Sequence, residues 1–233
     1  TVVGKDPITV TQKANPQGSS PTPSRNRLVV FPHVPAGGWI TKVVVNNPTT
    51  TPFSGDMVSY KADGSAGCAA VPVSIPAQGT VRFNVNEMVN GCAAEYMVLE
   101  SEDDSVVPPV GYIVYEYSGL GRAILRMTTP VRSAQLVLPD IEGWTGLAMV
   151  NTKDVQTVVT LKAFGESGEV LATATKTLGA NAKWVGFVEE LFPGSDISEA
   201  EKISYNTGVT GAPLSMILLS GSGDGTQLDG LPG

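Results

Sequence analysis

The sequence predicts an all-β protein built as two tandem β-sandwiches of the immunoglobulin or fibronectin type, related by internal duplication. Three observations lead there. Glycine and proline account for 43 of the 233 residues, a load that no helical bundle carries, because each costs about 1 to 3 kcal/mol in a helix interior. Apolar residues alternate with polar ones over short stretches bounded by turn residues, the period of a strand with one buried face. A set of landmarks also recurs after roughly one hundred residues.

The first alternating stretch is ITVTQ, residues 8–12, which places Ile8 and Val10 on one face. It is followed by ANPQGSSPTPSRNR, 14–27, a Pro/Ser/Asn/Gly run that reads as a linker or an extended crossover. Residues 1–27 are therefore expected as a detached strand and linker, 28–120 as the first sandwich and 121–233 as the second. Strands are expected at 28–31 (LVVF), 40–46 (ITKVVVN), 55–62 (GDMVSYKA), 80–85 (TVRFNV), 96–101 (YMVLES) and 111–117 (GYIVYEY). The series continues at 123–129 (AILRMTT), 134–138 (AQLVL), 147–151 (LAMVN), 158–164 (VVTLKAF), 170–178 (VLATATKTL), 183–188 (KWVGFV) and 214–219 (LSMILL). Asp63-Gly64 and Ser167-Gly168 fit tight hairpin turns. Two stretches read as single helical turns: VEELF, 188–192, and SEAEK, 198–202, where Ser198 and Glu201 have capping-box spacing.

The repeat supplies the domain plan. FPHVPAGGWITKVVVNNP, with Trp39 and Asn47, aligns with LPDIEGWTGLAMVNTK, with Trp144 and Asn151. YKADG ending at Gly64 aligns with FGESG ending at Gly168, and TVRFNVNEMV with KWVGFVEELF. YMVLES then matches KISYN, and GYIVYEY matches PLSMILL. Each half is expected to hold roughly seven strands. In the second half AILRMTT precedes AQLVL, and the first-half candidate for the same place is ITVTQ. That strand either crosses over to complete its own domain or inserts into the open edge of a neighbouring copy, a donor-strand contact that propagates head to tail. An extended linker of this length spans about 40 Å and allows both.

The formal charge of −7 and pI near 4.7 argue against nucleic acid and anionic membranes as partners, since phosphate neutralisation needs clustered Lys and Arg. No apolar run approaches the roughly 18 residues of a membrane span. The opening has no charged-then-apolar signal segment, and a start at Thr1 is expected to reflect export followed by cleavage. Cys68 and Cys92, in the matching contexts GCAAV and GCAAE, read as one disulfide worth about 3 kcal/mol in the chain-entropy model. That bridge implies an oxidising compartment; the alternative is two buried thiols. A zinc site is disfavoured, because only His33 is available to join them.

Catalysis has little to stand on. His33, between Pro32 and Val34, reads as structural, and no serine sits in a G-x-S-x-G elbow. The acidic run Glu100, Glu102, Asp103, Asp104 lacks the spacing of a calcium loop, and GSGDGTQLDG at 221–230 is a single copy. Glu189-Glu190 adjoin and would face opposite ways on a strand. GLG at 119–121 lacks the third glycine of a phosphate cradle. No cofactor and no metal site is expected.

The aromatics suit binding better. Trp39, Trp144 and Trp184, with Tyr60, Tyr112, Tyr115, Tyr117 and Tyr205, offer stacking platforms where exposed. Trp39 and Trp144, at equivalent repeat positions, are expected as a core plug common to both sandwiches. YIVYEY puts Tyr112 on one strand face and Tyr115 and Tyr117 on the other, so an interface is expected at these tyrosines.

FPHVPAGGWITKVVVNNP, with TGLAMVN followed by FVEELFPG, resembles a tandem β-sandwich module of large secreted bacterial proteins, whose halves carry F-P-H…G-G-W…N-P and T-G-A-N…E-L-F-P signatures. The resemblance covers roughly residues 28–231 and implies an extracellular, non-catalytic, structural or adhesive role; no functional residues come with it. It differs in that here the module is preceded only by a short strand and linker. The resulting expectation is an exported structural protein that self-assembles as a homo-oligomer or polymer, a filament or surface layer, with the first strand as inter-subunit contact. The alternative is a carbohydrate-binding or adhesion module that takes a surface glycan on exposed aromatics.

Overall fold

The computed structural model describes residues 26–89, 91–103, 105–117, 121–127, 129–139, 143–223 and 228–232. The expected strand 8–12, with Ile8 and Val10, and the linker before Asn26 lie outside the described residues. The first half comprises β1 (Asn26–Phe31), β2 (Trp39–Asn46), β3 (Phe53–Tyr60), β4 (Val71–Ile75), β5 (Thr80–Asn84), the short α1 (Val85–Val89), β6 (Tyr96–Ser101), β7 (Val110–Tyr117) and β8 (Gly121–Arg126). The second comprises β9 (Ser133–Val137), β10 (Gly143–Asn151), β11 (Thr157–Phe164), β12 (Val170–Leu178), β13 (Lys183–Phe187), a 3₁₀ turn (Val188–Leu191), β14 (Lys202–Asn206), β15 (Leu214–Ser222) and β16 (Leu228–Pro232).

These strands make four antiparallel four-stranded sheets, ordered β1-β6-β3-β4 and β5-β2-β7-β8 in the first half, β9-β14-β11-β12 and β13-β10-β15-β16 in the second. Adding eight to each strand number of the first half reproduces the second. Each half thus has eight strands rather than seven. GRAILR, 121–126, which the expected division at 120/121 assigns to the second half, pairs with β7 from Tyr117↔Gly121 to Tyr112↔Arg126. Only three residues separate β7 from β8, and a connection that short permits only an antiparallel neighbour. Its counterpart is β16, on β15. The first sandwich therefore has no vacant position that ITVTQ must fill. Pro72 masked β4 in the sequence; it sits on an edge strand, where a missing N–H is tolerated.

Two buried asparagines lock the corners after β2 and β10. Asn47 donates through Nδ2 to the carbonyls of Thr51 (2.7 Å) and Pro76 (3.1 Å), and its Oδ1 accepts from the Thr49 N–H. Asn151 donates to Val155 O and Gly179 O, both at 2.7 Å, and accepts from the Lys153 N–H. Backbone groups away from water need partners, so one amide satisfies three backbone groups from two chain segments at each corner. The hairpin tips match as well: Gly64 and Gly168 both sit at φ 86° and donate to the carbonyl three residues back.

The two halves share a core. On β10, Leu147 and Met149 face the second half's own core, whereas Ala148 on the opposite face joins Ile217 and Leu219 of β15 in the core of the first half. Val150 packs against Val30, Tyr96 and Val98 on the outer face of the β1-β6 pair. Both faces of this sheet are thus covered, which explains why β15 is buried at eight consecutive positions, 214 to 221. Hydrogen bonds cross the same junction: Tyr96 Oη donates to Asn181 O, and the Lys183 N–H to Ala62 O at 2.8 Å.

Cys68 and Cys92 form a disulfide with Cα atoms 5.6 Å apart, tying the segment after the β3 hairpin to the end of α1. Reduction is expected to lower the unfolding free energy by about 3 kcal/mol, read from urea midpoints with and without reductant. Asn151→Ala, which removes the side-chain bonds to Val155 O and Gly179 O and from the Lys153 N–H, should cost about 2 kcal/mol in the same assay with the slope against urea unchanged.

Candidate functional site: an aromatic cleft at the junction

A cleft of about 370 Å³ opens between the halves, lined by His33, Pro35 and Trp39 from the first and by Trp144, Val185 and Phe187 from the second, over Ala148, Ile217 and Leu219. Its floor is the junction face of the β13-β10-β15-β16 sheet. The two repeat tryptophans meet here, although neither plugs an equivalent core. From Val43/Leu147 to Asn47/Asn151 the halves align at an offset of 104, but Trp39 and Trp144 differ by 105. One residue of slip reverses a side chain on a strand. Trp39 therefore points to the inner face of its own sheet and packs edge-on to Tyr115 at 6.4 Å, while Trp144 turns outward from its own half onto the first-half core. Its indole lies over its cross-strand partner Gly221, where a Cβ would come within 2.6 Å of the ring.

The back of the cleft is held by a buried basic pair. Lys183 on β13 donates through Nζ to His33 Nδ1 and to Glu95 O, both at 2.7 Å. An ammonium can only donate, so Nδ1 accepts and the imidazole carries its proton on Nε2. Burial, with the Lys183 charge beside it, pushes the His33 pKa down to about 3. Burial likewise lowers Lys183 to about 8. His33 O accepts from Tyr115 Oη at 2.7 Å, so this residue joins both halves.

The expected tyrosine interface divides. Tyr115 is wholly buried in the first-half core and is unavailable to a partner, which corrects the expectation. Tyr117 is exposed and packs on Trp39 with centroids 5.0 Å apart. Tyr112 stands half-exposed on the outer face of the first half. Of the other platforms, Tyr60 stacks on Tyr96 at 5.0 Å, Tyr205 is buried, and Trp184 lies under Lys176 Nζ at 5.0 Å. Glu100 of the acidic run is buried and paired with Arg27 at 3.3 Å.

Beside the cleft runs an open edge. The Asn151 N–H donates to Ala182 O at 2.9 Å, while the Lys183 N–H turns outward to Ala62. By the alternation of an antiparallel ladder, Val185 also turns its main-chain groups outward. No described residue continues the pairing there. Val185 and Phe187 are 45% and 50% exposed. At the corresponding register on β5 stand Arg82 and Asn84, polar residues of the kind that guard edges. Sequence reasoning missed this site because β13 looks like any other alternating strand; the exchange of Arg82 for Val185 between the repeats was the available signal.

Comparisons with protein-family models, with curated proteins and with solved structures found no match. No described helix is long and apolar enough to cross a membrane.

The junction pair gives a pH dependence of known sign. His33 takes up a proton more readily unfolded (6.5) than folded (about 3), so its stabilising effect is complete above pH 6.5 and fades as pH falls toward 3. Lys183 behaves likewise between 10.5 unfolded and about 8 folded: stability rises as pH climbs from 8. Above pH 10 the buried tyrosines, raised to about 12 at Tyr60 and Tyr205, oppose this. Unfolding free energy is therefore expected to increase between pH 8 and about 9.5 and to fall from pH 6.5 to 5. Lys183→Met should flatten the alkaline limb and His33→Gln the acid limb; curves unchanged in both variants would contradict the assignment.

Proposed function

We propose that the chain is an exported, non-catalytic structural protein that assembles by strand addition: residues 8–12 of one copy pair with the free edge of β13 in the next, with Ile8 and Val10 over the aromatic cleft. The observation that carries this reading is the unguarded apolar edge at Val185 and Phe187. An edge strand with exposed apolar side chains and unpaired main-chain groups is a template for another strand. In β-augmentation the ladder supplies affinity and the neighbouring pocket reads alternate side chains. The described residues already supply eight strands to each half with matching sheet orders, which supports assigning residues 8–12 as donor. The heterologous contact does not close on itself and yields a filament or layer. The disulfide suits an extracellular setting.

A second reading is a carbohydrate-binding or adhesion module, favoured by the half-buried Trp39 packed on the exposed Tyr117 beside the cleft, an arrangement that suits stacking against a sugar ring.

Electron microscopy and light scattering of the full chain beside the chain lacking residues 1–13 test the first reading. Polymers from the full chain, monomers from the truncated one, and monomers from Val185→Pro, which removes the outward N–H, are expected. Monomers from every form would overturn it. Binding to a glycan that survives the truncation and is lost in Trp39→Ala would move the assignment to the second reading.

A further inference from the structure

The outer face of the β5-β2-β7-β8 sheet inverts the charge of the molecule. One cross-strand row reads Arg82–Val44–Tyr112–Arg126, the next Asn84–Lys42–Val114–Ile124, and the third pairs Ile40, Glu116 and Arg122. This face carries four cations and a single carboxylate, whereas the rest of the chain carries eleven cations and twenty-one carboxylates. Glu116 is taken by Lys42 at 2.8 Å and Arg122 at 3.5 Å, which holds its carboxyl below the usual range, chiefly through the Lys42 hydrogen bond. Arg82 and Arg126 are exposed and make no ion pair among the described residues. They flank Tyr112 across three strand spacings, roughly 14 Å.

A comparison within the molecule argues that this face has a ligand. The corresponding rows of the second half, Val185–Ala148–Ile217–Pro232 and Phe187–Gly146–Leu219–Gly230, carry no charge, and their central residues Ala148, Ile217 and Leu219 pack into the first-half core. The first-half face keeps a buried apolar floor, Val44 and Val114, and an exposed Ile124 at 53%, but sets cations around it. Guarding the edges accounts for Arg82 on β5 and for Arg122 and Arg126 on β8. It does not account for Lys42 and Tyr112 on the central strands.

We propose that this face binds a linear anionic polysaccharide, one bearing carboxylate or sulfate groups. Its anions pair with Arg82 and Arg126, where bidentate guanidinium geometry is available, and a sugar ring rests on Tyr112. A flat four-stranded surface with cations at both margins suits a polymer crossing the strands. The proposal stands apart from the strand-exchange reading and uses none of its residues.

The test uses the chain lacking residues 1–13, so that assembly plays no part, with heparin and polygalacturonate as probes, dextran as the neutral control and single-stranded DNA as a rival polyanion. Binding to both acidic glycans at about 50 mM salt is expected, weakening at least tenfold by about 500 mM as the charges are screened. Arg82→Ser with Arg126→Ser should reduce affinity at least tenfold, and Tyr112→Ala several-fold, with melting temperatures unchanged because these side chains are at the surface. Absence of binding at low salt, equal binding to dextran, binding to DNA alone, or affinity unaffected by the arginine substitutions would each overturn the proposal. A salt-sensitive dimer that forms without glycan and is lost in the double variant would overturn it too, assigning the face to a second copy.

Discussion

The structure depends on one sheet being covered on both faces. In an ordinary antiparallel sandwich each sheet turns one face to the core and one to water. Here β10 and β15 give Leu147, Met149 and Met216 to the second core, and Ala148, Ile217 and Leu219 to the first. Burial on both sides makes the junction part of the hydrophobic core rather than a domain contact. The cleft lies on that same face, where Trp39 and His33 of the first half meet Trp144, Val185 and Phe187 of the second.

The junction also dictates where charge is tolerated. Lys183 is buried at the seam because its ammonium finds two acceptors, His33 Nδ1 and Glu95 O, and the neutral imidazole is itself fixed from the other side through Tyr115. A cation in that position with either partner removed would be an uncompensated buried charge. The seam is thus held by directional bonds where it is polar and by packing where it is apolar. Gly230 leaves room for Leu125 and Gly64 for the Ala180 carbonyl across the seam, while Gly221 makes space for Trp144 within the second half's sheet.

The repeat shows how one topology is given different surfaces. Equivalent rows of the two halves carry arginine, lysine and tyrosine where they face water and valine, alanine and isoleucine where they face the partner half. Edge protection follows the same division, with Arg82 on β5 and nothing charged at Val185 on β13. Exposed apolar side chains at one edge and polar ones at its counterpart leave the two margins with different pairing tendencies.

The sequence by itself determined the all-β class and most of the strands, because these rest on local signals, period-2 alternation and turn glycines at Gly64 and Gly168; β4, α1 and β16 escaped it, and it left Cys68 and Cys92 as either a bridge or two thiols. It also marked Asn47 and Asn151, though not as corner locks. Only the tertiary structure decided which half owns residues 121–126, since that depends on a three-residue connection rather than on the strand's own pattern. It alone showed that Tyr115 is buried and that the tryptophans converge, because a one-residue slip between repeats reverses a side chain without changing composition or period. The cleft and the basic face were equally out of reach of the sequence: each gathers residues from strands far apart in the chain, and no local pattern reports which faces will be covered when two sandwiches share a core.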